Sequence, residues 1–324
     1  MRRIAVHLER LGATVKVLTT QPLPPDGWDQ ARAVRPDVVH AFHAVKAGVI
    51  ARAIAQALSV PLVVTLTGTD IHGDWSDPQH RAAMEAVLGD AAAVVVFAPE
   101  VRGEVAALLP TVAPKVVVIP QGVWLPPQEP WEVRRHAGVP PEAPVLLLPA
   151  NIRKVKRPSL AVNGVARLRQ RGVDAHLLLA GAVLEADEWQ RVHSCLQRCA
   201  WIHYLGAVPS ERMAAVYRAA DIVLNTSAHE GGMANALLEA MALGRPILAA
   251  DVPGNRSLVQ DGVTGLLFCD AEELAEKAWR LLTDEELRRR MTQAAHEWVR
   301  QHCDPMQEAR RYWQVYTRVL TRCP

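Results

Sequence analysis

Short apolar runs rich in β-branched residues alternate with helical stretches along almost the whole chain of 324 residues. Such alternation is typical of parallel βαβ units, in which helices cover both faces of a sheet. In the first half of the chain, the pattern predicts strands at 14–20, 38–42, 61–66, 93–98 and 115–120. In the second half, it predicts strands at 145–148, 176–179, 202–205, 222–225, 246–249 and 265–268. The two series predict an α/β protein with two doubly wound, Rossmann-like domains.

A proline-rich stretch separates the two series. It runs from Trp124 to Pro130 and contains three prolines in seven residues, a density that interrupts regular structure. We therefore predict an N-terminal domain at 1–125 and a C-terminal domain at 126–303. A last helix, at 304–324, is expected to pack back toward the N-terminal domain.

The first residues predict an amphipathic helix that ends at Gly12 and places Ile4, Ala5, Leu8 and Leu11 on one face. A helix that leads directly into a strand usually follows an earlier strand and a glycine-rich turn in a parallel sheet. We therefore expect that the first strand of the N-terminal domain is missing.

Charge and composition narrow the classes of partner. The formal net charge is +2, from 36 basic and 34 acidic residues, which does not favour nucleic acid. The longest apolar run, Ala91 to Ala98, is far shorter than the roughly 18 residues of a membrane span. Five cysteines without paired Cys-x-x-Cys spacing favour a reducing compartment over a disulfide framework or a zinc site. We expect a cytoplasmic protein without a transmembrane segment or a nucleic-acid partner; weak peripheral membrane contact stays open.

The segment after the predicted strand at 222–225 carries the clearest chemical signal. The turn His229-Glu230-Gly231-Gly232 leads into a helix that begins at Ala234. Adjacent glycines let the backbone approach a ligand, and the start of a helix offers unpaired N–H groups to an anion. The segment therefore predicts a diphosphate site, although a plain strand-to-helix turn is the alternative.

Glu239 lies among apolar neighbours on that helix. A buried carboxylate needs hydrogen-bond donors, and the hydroxyls of a nucleotide ribose are suitable donors, whereas phosphate would repel it. We therefore predict that Glu239 binds ribose. The alternative is an exposed glutamate on a polar stripe that it shares with Asn235, four residues earlier.

A basic cluster follows the first strand of the C-terminal domain. Four of the five residues from Arg153 to Arg157 are cations, and Pro158 is suited to begin the next helix. We predict that Arg153 and Lys156 bind the diphosphate and neutralise charge on the leaving nucleotide, a task that a divalent metal performs elsewhere. Asp-x-Asp does not occur in the sequence, so we expect no metal. A solvated basic loop is the alternative.

Polar residues also follow two predicted strands of the N-terminal domain. His40 and His43 end one strand, and Thr69 and Asp70 follow the next. A lone histidine is more often structural than catalytic, but two polar clusters at successive strand ends favour a site. His43 would hydrogen-bond a sugar hydroxyl or orient an acceptor, and Asp70 would bind acceptor groups or only cap a turn.

Together these motifs resemble the family-4 retaining glycosyltransferases of the GT-B fold, and most closely the glycosyltransferase 1 domain-containing subgroup. The resemblance covers nearly the whole chain and rests on five motifs, at 66–70, 120–123, 152–158, 230–241 and 252–255. It implies GT-B architecture, with two Rossmann-like domains facing across a cleft. The domain at 1–125 would bind the acceptor and the domain at 126–303 the donor.

The resemblance implies that a UDP- or GDP-sugar gives its sugar, with retention, to a small molecule, glycan or lipid, without a further cofactor. It implies a reacting centre with Glu230, His43, Arg153 and Lys156. Donor binding would involve Ser227, Gly231, Gly232, Met233, Asn235 and Glu239, and the acceptor side would involve Thr69 and Asp70. Eight residues separate Glu230 from Glu239, whereas seven are usual in the family. Alternatives are a nucleotide-sugar epimerase or hydrolase, or a non-catalytic nucleotide-sugar-binding protein.

Overall fold

The computed structural model describes residues 1–20, 22–230 and 233–322. Contacts divide the chain into two compact units. Unit 1 comprises residues 1–122 and 302–324, and unit 2 comprises residues 123–301. The proline-rich stretch 124–130 lies at the beginning of unit 2 and forms neither helix nor strand.

Strands and helices alternate in both units. In chain order, strands β1 to β10 are Val39–Phe42, Leu62–Thr65, Ala93–Val96, Val116–Val118, Val145–Leu148, His176–Leu179, Ile202–Tyr204, Ile222–Asn225, Ile247–Ala250 and Leu266–Phe268. Helices α1 to α15 are Arg2–Arg10, Gly27–Val34, Gly48–Leu58, Thr69–His72, Pro78–Asp90, Pro99–Leu108, Val133–Ala137, Pro158–Gln170, Ala186–Arg198, Ser210–Ala219, Asn235–Ala242, Pro253–Arg256, Ala271–Thr283, Glu285–His302 and Pro305–Arg322.

Unit 1 is built on a parallel sheet with the order β1-β2-β3-β4. Because side chains alternate across a strand, Leu62 and Val64 of β2 join a core with α3, α5 and α6, whereas Val63 joins a second core with α1 and α15. The helices of that second core are also linked by an ion pair, in which Nε of Arg3 lies 2.7 Å from Oε2 of the buried Glu308. The sheet of unit 1 is therefore covered on both faces.

Unit 2 is built on a parallel sheet with the order β10-β9-β8-β5-β6-β7. Its strands are almost continuously apolar because helices cover both faces. The strand order reverses between β5 and β8, so the connections that leave these two strands run in opposite directions. Ligands of open α/β sheets bind in the crevice that such a reversal leaves at the carboxyl ends of the strands.

The prediction of two parallel α/β domains is confirmed, but the predicted strand at 14–20 is wrong. The structure assigns no strand there within the described residues. Ala13 and Val15 pack against the core formed with α1 and α15, while Val17 is 50% exposed. The alternation of apolar and polar residues is real, yet a strand also needs hydrogen bonds to the backbone of a neighbouring strand, and this segment is not part of either sheet.

Two further features concern membrane-spanning helices and the cysteines. None of the helices within the described ranges is long and apolar enough to cross a membrane. Four cysteines, Cys195, Cys199, Cys269 and Cys303, are free thiols.

Candidate active site

The loops that follow β5 and β8 lie side by side at the reversal of the unit 2 sheet. The N–H of Ala228 donates to the carbonyl of Val155 at 2.8 Å, and the hydroxyl of Thr226 donates to the carbonyl of Lys156 at 2.5 Å. Arg157 donates to the carbonyls of Thr226 and Ser227 at 2.7 and 3.0 Å. The basic loop and the turn before α11 therefore form one connected structure.

Arg157 has a structural task in this arrangement. Its backbone is left-handed, with φ of 43°, and it is the N-cap residue of α8, which begins at Pro158. Burial lowers the pKa of its guanidinium, which nevertheless stays protonated because an arginine pKa lies so high. Its guanidinium therefore binds backbone carbonyl oxygens of the neighbouring loop and links the two loops.

Glu230 is the carboxylate at the centre of the connected loops. Its Oε1 accepts hydrogen bonds from Nζ of Lys156 at 2.5 Å, Oγ of Ser227 at 2.6 Å and Nδ2 of Asn225 at 3.2 Å. Within the described ranges, no group donates to its other oxygen, Oε2. The Glu230 side chain is 14% exposed. Among the described residues, the site thus holds this partly buried carboxylate by one oxygen.

Gly254 lies directly behind Glu230. A Cβ atom added to Gly254 would lie 2.1 Å from the carbonyl oxygen of Glu230 and 2.6 Å from its Cβ. Its φ is not positive, so this glycine is required by close approach and not by backbone conformation. The first turn of α12 therefore fixes the backbone position of Glu230.

Glu239 is half-buried on α11, and its carboxylate is hydrogen-bonded to Tyr217 of α10. Burial, together with this carboxylate, raises the pKa of Tyr217 well above its usual range, so the phenol stays protonated. The phenol is therefore a neutral donor to Glu239.

The other predicted donor residues of unit 2 have different surroundings. Ser227 touches Glu230 directly. The exposed Asn235 is the first residue of α11, and Met233 lies two residues before it. Gly231 and Gly232 lie outside the described residues. Arg153 pairs with a different carboxylate from that of Lys156. Its Nε lies 3.7 Å from Oε1 of Glu185, and its side chain is 30% exposed.

A second polar cluster lies in unit 1, at the ends of β1 and β2. Nδ1 of His43 lies 3.0 Å from Asp70, and Nε2 lies 3.0 Å from Oγ1 of Thr69 and 3.3 Å from Asp74. His43 is buried and has φ of 92°, a strained backbone for a residue other than glycine. The structure thus brings the predicted His43, Thr69 and Asp70 together and adds Asp74.

Asp70 is the support of this cluster. It is 0% exposed, and it accepts hydrogen bonds from the N–H groups of Ala44 at 2.5 Å and Thr67 at 2.6 Å. Burial alone would raise the pKa of Asp70, but His43 and the two N–H groups hold it below its usual value. Asp70 is therefore a charged, fully engaged carboxylate.

His40, the other histidine on β1, has a different environment. Its two ring nitrogens lie 2.7 Å from the hydroxyl of Tyr316 and 2.8 Å from that of Thr65. Burial lowers the pKa of His40 to about 3, so its ring stays neutral and joins the helix α15 to the sheet.

Sequence reasoning missed four residues of these clusters: Asn225, Tyr217, Gly254 and Asp74. A signal existed for Asn225, which is the one polar residue in the strand Ile222–Asn225. Gly254 belongs to the motif at 252–255, but only the structure shows which atoms it approaches. Within the described part of the chain, no group of three or more His, Cys, Asp or Glu side chains is arranged to hold a metal ion.

Comparison with family models matches both units. The model described as "Glycosyl transferases group 1" matches residues 143–284, and the model described as "Glycosyl transferase 4-like domain" matches residues 24–122. The two matched ranges contain the Glu230 cluster and the His43 cluster, respectively.

Curated relatives agree with these models. Glycosyltransferase 1 domain-containing protein 1 of Xenopus tropicalis is 28% identical over 246 residues, which are 74% of this chain and 71% of the relative. A D-inositol 3-phosphate glycosyltransferase of Frankia alni is 28% identical over 313 residues, which are 90% of this chain and 76% of the relative.

Solved structures share the fold. The Anabaena protein HepE, in complex with UDP and glucose, superposes with a TM-score of 0.76 at 20% identity and covers 96% of this chain and 88% of its own. Sucrose-phosphate synthase of Thermosynechococcus elongatus has a TM-score of 0.72 at 21% identity, over 92% of this chain and 78% of its own. With both units matched and the fold shared, the chain belongs to the group 1, family-4-type glycosyltransferases of the GT-B fold.

Proposed function

We propose that this glycosyltransferase moves a sugar, with retention and without a metal ion, from a nucleotide-diphosphate donor to an acceptor. The observation that carries the proposal is the contact between Lys156 and Glu230 at the reversal of the unit 2 sheet. A cation and a carboxylate whose second oxygen receives no hydrogen bond from the described residues meet there, at the position where open α/β sheets bind ligands. We place the donor's diphosphate and sugar at this position.

Lys156 has the chemistry that the leaving nucleotide requires. Negative charge grows on the diphosphate as the bond to the sugar breaks, and a fixed cation that contacts it lowers the barrier. The Lys156 side chain is 27% exposed, so phosphate oxygens can reach it. Arg153 stays a predicted second cation, and the first N–H groups of α11 are further donors to an anion. These groups supply the charge that a metal ion supplies in other transferases.

Glu230 has the chemistry that the donor sugar requires. Its Oε2 can accept a hydrogen bond from a sugar hydroxyl, and its charge stabilises the positive sugar that forms during transfer. We propose that the leaving phosphate, and not Glu230, takes the proton of the acceptor on the same face of the sugar. The protein then contributes position and charge.

The proposal assigns roles to two further side chains, the carboxylate of Glu239 and the imidazole of His43. Glu239, held by Tyr217, binds the hydroxyls of the nucleotide ribose. His43, held by Asp70 and Thr69, contacts the sugar or the acceptor. The solved complex of HepE with UDP-glucose makes UDP-sugars the first donors to test for this chain, with GDP-sugars as the alternative.

The test is a binding and turnover screen of the purified chain with UDP- and GDP-sugars, with and without EDTA, against a panel of acceptors. We expect one donor to raise the melting temperature, and we expect transfer that survives EDTA and keeps the anomeric configuration. Free sugar or an epimer formed from the donor alone would instead indicate a hydrolase or an epimerase. Tight binding without turnover across the panel would indicate a non-catalytic binding protein.

Variants of the site separate the two roles. Lys156→Ala is expected to weaken donor affinity about tenfold or more, because a charge-assisted contact to phosphate is lost. Glu230→Gln keeps the shape of the side chain and removes its charge, so we expect turnover to fall about a hundredfold with a smaller change in nucleotide affinity. Unchanged donor affinity in Lys156→Ala would contradict the placement of the diphosphate.

A further inference from the structure

We infer that Asn225 is a positioning residue that fixes the orientation of the Glu230 carboxylate. Asn225 is the last residue of β8 and is 5% exposed. The inference rests on the proposed function in one respect, namely that Glu230 meets the donor sugar. Asn225 itself acts through Glu230 and needs no contact with the ligand.

The side-chain amide of Asn225 has a single favourable orientation. Its Oδ1 accepts a hydrogen bond from the N–H of Ser227 at 3.0 Å, a local turn that Asn side chains commonly form two residues ahead. This bond leaves Nδ2 to donate to Oε1 of Glu230 at 3.2 Å. The flipped amide would place oxygen against the Glu230 carboxylate and an NH₂ group against the N–H of Ser227, so both contacts would become repulsive.

Ser227 closes a ring of hydrogen bonds with the same two residues. Its N–H holds Asn225, and its Oγ donates to Oε1 of Glu230 at 2.6 Å. All three residues belong to one strand end and the turn that follows it. Movement of any one of them therefore displaces the other two.

These neutral donors have a task that Lys156 cannot perform. In the proposed reaction the donor's phosphates compete with Glu230 for the Lys156 ammonium, because both are anions. When that ammonium turns toward phosphate, Glu230 loses its cationic partner. Asn225 and Ser227 carry no charge that phosphate attracts, so they keep Oε1 in place and leave Oε2 directed to the sugar.

Two substitutions of Asn225 distinguish positioning from a general structural role. Asn225→Asp keeps an oxygen for the N–H of Ser227 but places a second carboxylate beside Oε1, where like charges repel. Asn225→Ala removes both hydrogen bonds without adding charge. If Asn225 only supported the turn, the Asp variant would be the milder one. If it orients Glu230, the Asp variant is the more damaging one for sugar binding.

The experiment measures the affinities of wild type and both variants for UDP and UDP-glucose by calorimetry; GDP and GDP-mannose replace them if the wild type binds only guanine donors. We expect UDP affinity to stay within about twofold of wild type, whereas UDP-glucose affinity falls about tenfold or more in Asn225→Asp, the cost of a lost hydrogen bond to a charged group. Asn163→Asp, on the exposed side of α8, adds the same charge and should leave both affinities unchanged.

The outcomes separate the two proposals. A wild type that binds no nucleotide sugar contradicts the proposed function, and this inference falls with it. A wild type that binds UDP-glucose, together with an Asn225→Asp variant that binds it equally well at neutral pH, overturns the inference alone. Equal losses for UDP and UDP-glucose would also overturn it, because Asn225 would then support the loop and not the sugar contact.

Discussion

Two carboxylates of this glycosyltransferase, Glu230 in unit 2 and Asp70 in unit 1, occupy similar positions and have opposite environments. Each follows a parallel strand and lies beside a basic side chain, Lys156 or His43. Asp70 is 0% exposed, and both of its oxygens are bound by groups of the chain. Glu230 is engaged at one oxygen, while no described group donates to the other.

The difference teaches how a buried carboxylate that supports a site differs from one that meets a ligand. A carboxylate whose oxygens are all occupied has nothing left for a substrate and contributes through the residue it holds. A carboxylate with one vacant oxygen in a partly buried position is suited to accept a ligand's hydroxyl. By this criterion we expect Asp70 to act on an acceptor only through His43, and Glu230 to contact the sugar itself.

The largest effect is expected from Asp70→Ala. The substitution leaves the N–H groups of Ala44 and Thr67 without acceptors in a buried place and removes the partner of His43. We expect the free energy of unfolding to fall by about 3 kcal/mol or more, as for other broken buried networks. Denaturant unfolding followed by circular dichroism measures this change.

The matched control for Asp70 is Asp77, an exposed aspartate in the same unit. Asp77 caps α5 by accepting from the N–H groups of Gln79 and His80, so Asp77→Ala should lower the free energy of unfolding much less than Asp70→Ala does. A loss no larger in Asp70→Ala than in Asp77→Ala would contradict the supporting role assigned to Asp70.

Gly254→Ala tests the environment of Glu230, the second carboxylate of the comparison. The added methyl group would meet the carbonyl oxygen and the Cβ of Glu230, so the backbone of that residue must shift. We expect transfer to fall at least about tenfold because catalytic groups tolerate little misplacement, and stability to fall by about 1–3 kcal/mol from overpacking.

The control for this variant is Gly103→Ala. Gly103 lies within α6, and an added Cβ would meet nothing within 4 Å, so alanine there should be neutral or stabilising. Initial rates and melting temperatures of both variants provide the measurement. Unchanged rates in Gly254→Ala would show that the position of Glu230 is not critical.

Much of this comparison could not be obtained from the sequence. The positions of most strands and of the basic loop were predictable because apolar runs and clustered cations are local patterns. The pairing of Lys156 with Glu230 depends on which strands adjoin, and it spans 74 positions along the chain. The close approach of Gly254 to Glu230 depends on an inter-loop distance that no spacing encodes. The segment 14–20 shows the converse, because its local pattern is that of a strand although no neighbouring strand pairs with it.

The pH dependence of stability provides a smaller effect at Asp70. Its pKa is lower in the folded protein than in the unfolded chain, so its contribution to stability is present above the unfolded pKa of about 3.9. That contribution is lost as the pH falls through the folded pKa. We expect Asp70→Asn to be less sensitive to acid than the wild type below about pH 4, as measured by unfolding free energies from neutral to acidic pH. If the unfolding free energies of the wild type and Asp70→Asn changed with pH in parallel, the lowered pKa of Asp70 would be contradicted.

The smallest effect is expected at Glu239, whose environment lies between those of Asp70 and Glu230. Glu239 is half-buried and hydrogen-bonded to the buried phenol of Tyr217. Tyr217→Phe should lower the free energy of unfolding by about 1 kcal/mol and leave the carboxylate less firmly oriented. Tyr204→Phe, which loses a phenol bond to the carbonyl of Gly181, is the control for stability.

A ribose contact at Glu239 would give this variant a further signature. The wild type should prefer UDP over 2′-deoxy-UDP, because a hydroxyl bound by a carboxylate contributes to affinity. Tyr217→Phe should reduce that preference by a few-fold, since the carboxylate then samples other orientations. Calorimetric titration of both nucleotides into both proteins measures the preference. If Tyr217→Phe left the preference for UDP over 2′-deoxy-UDP unchanged, Glu239 would resemble Asp70, whose oxygens are bound by the protein, and not Glu230.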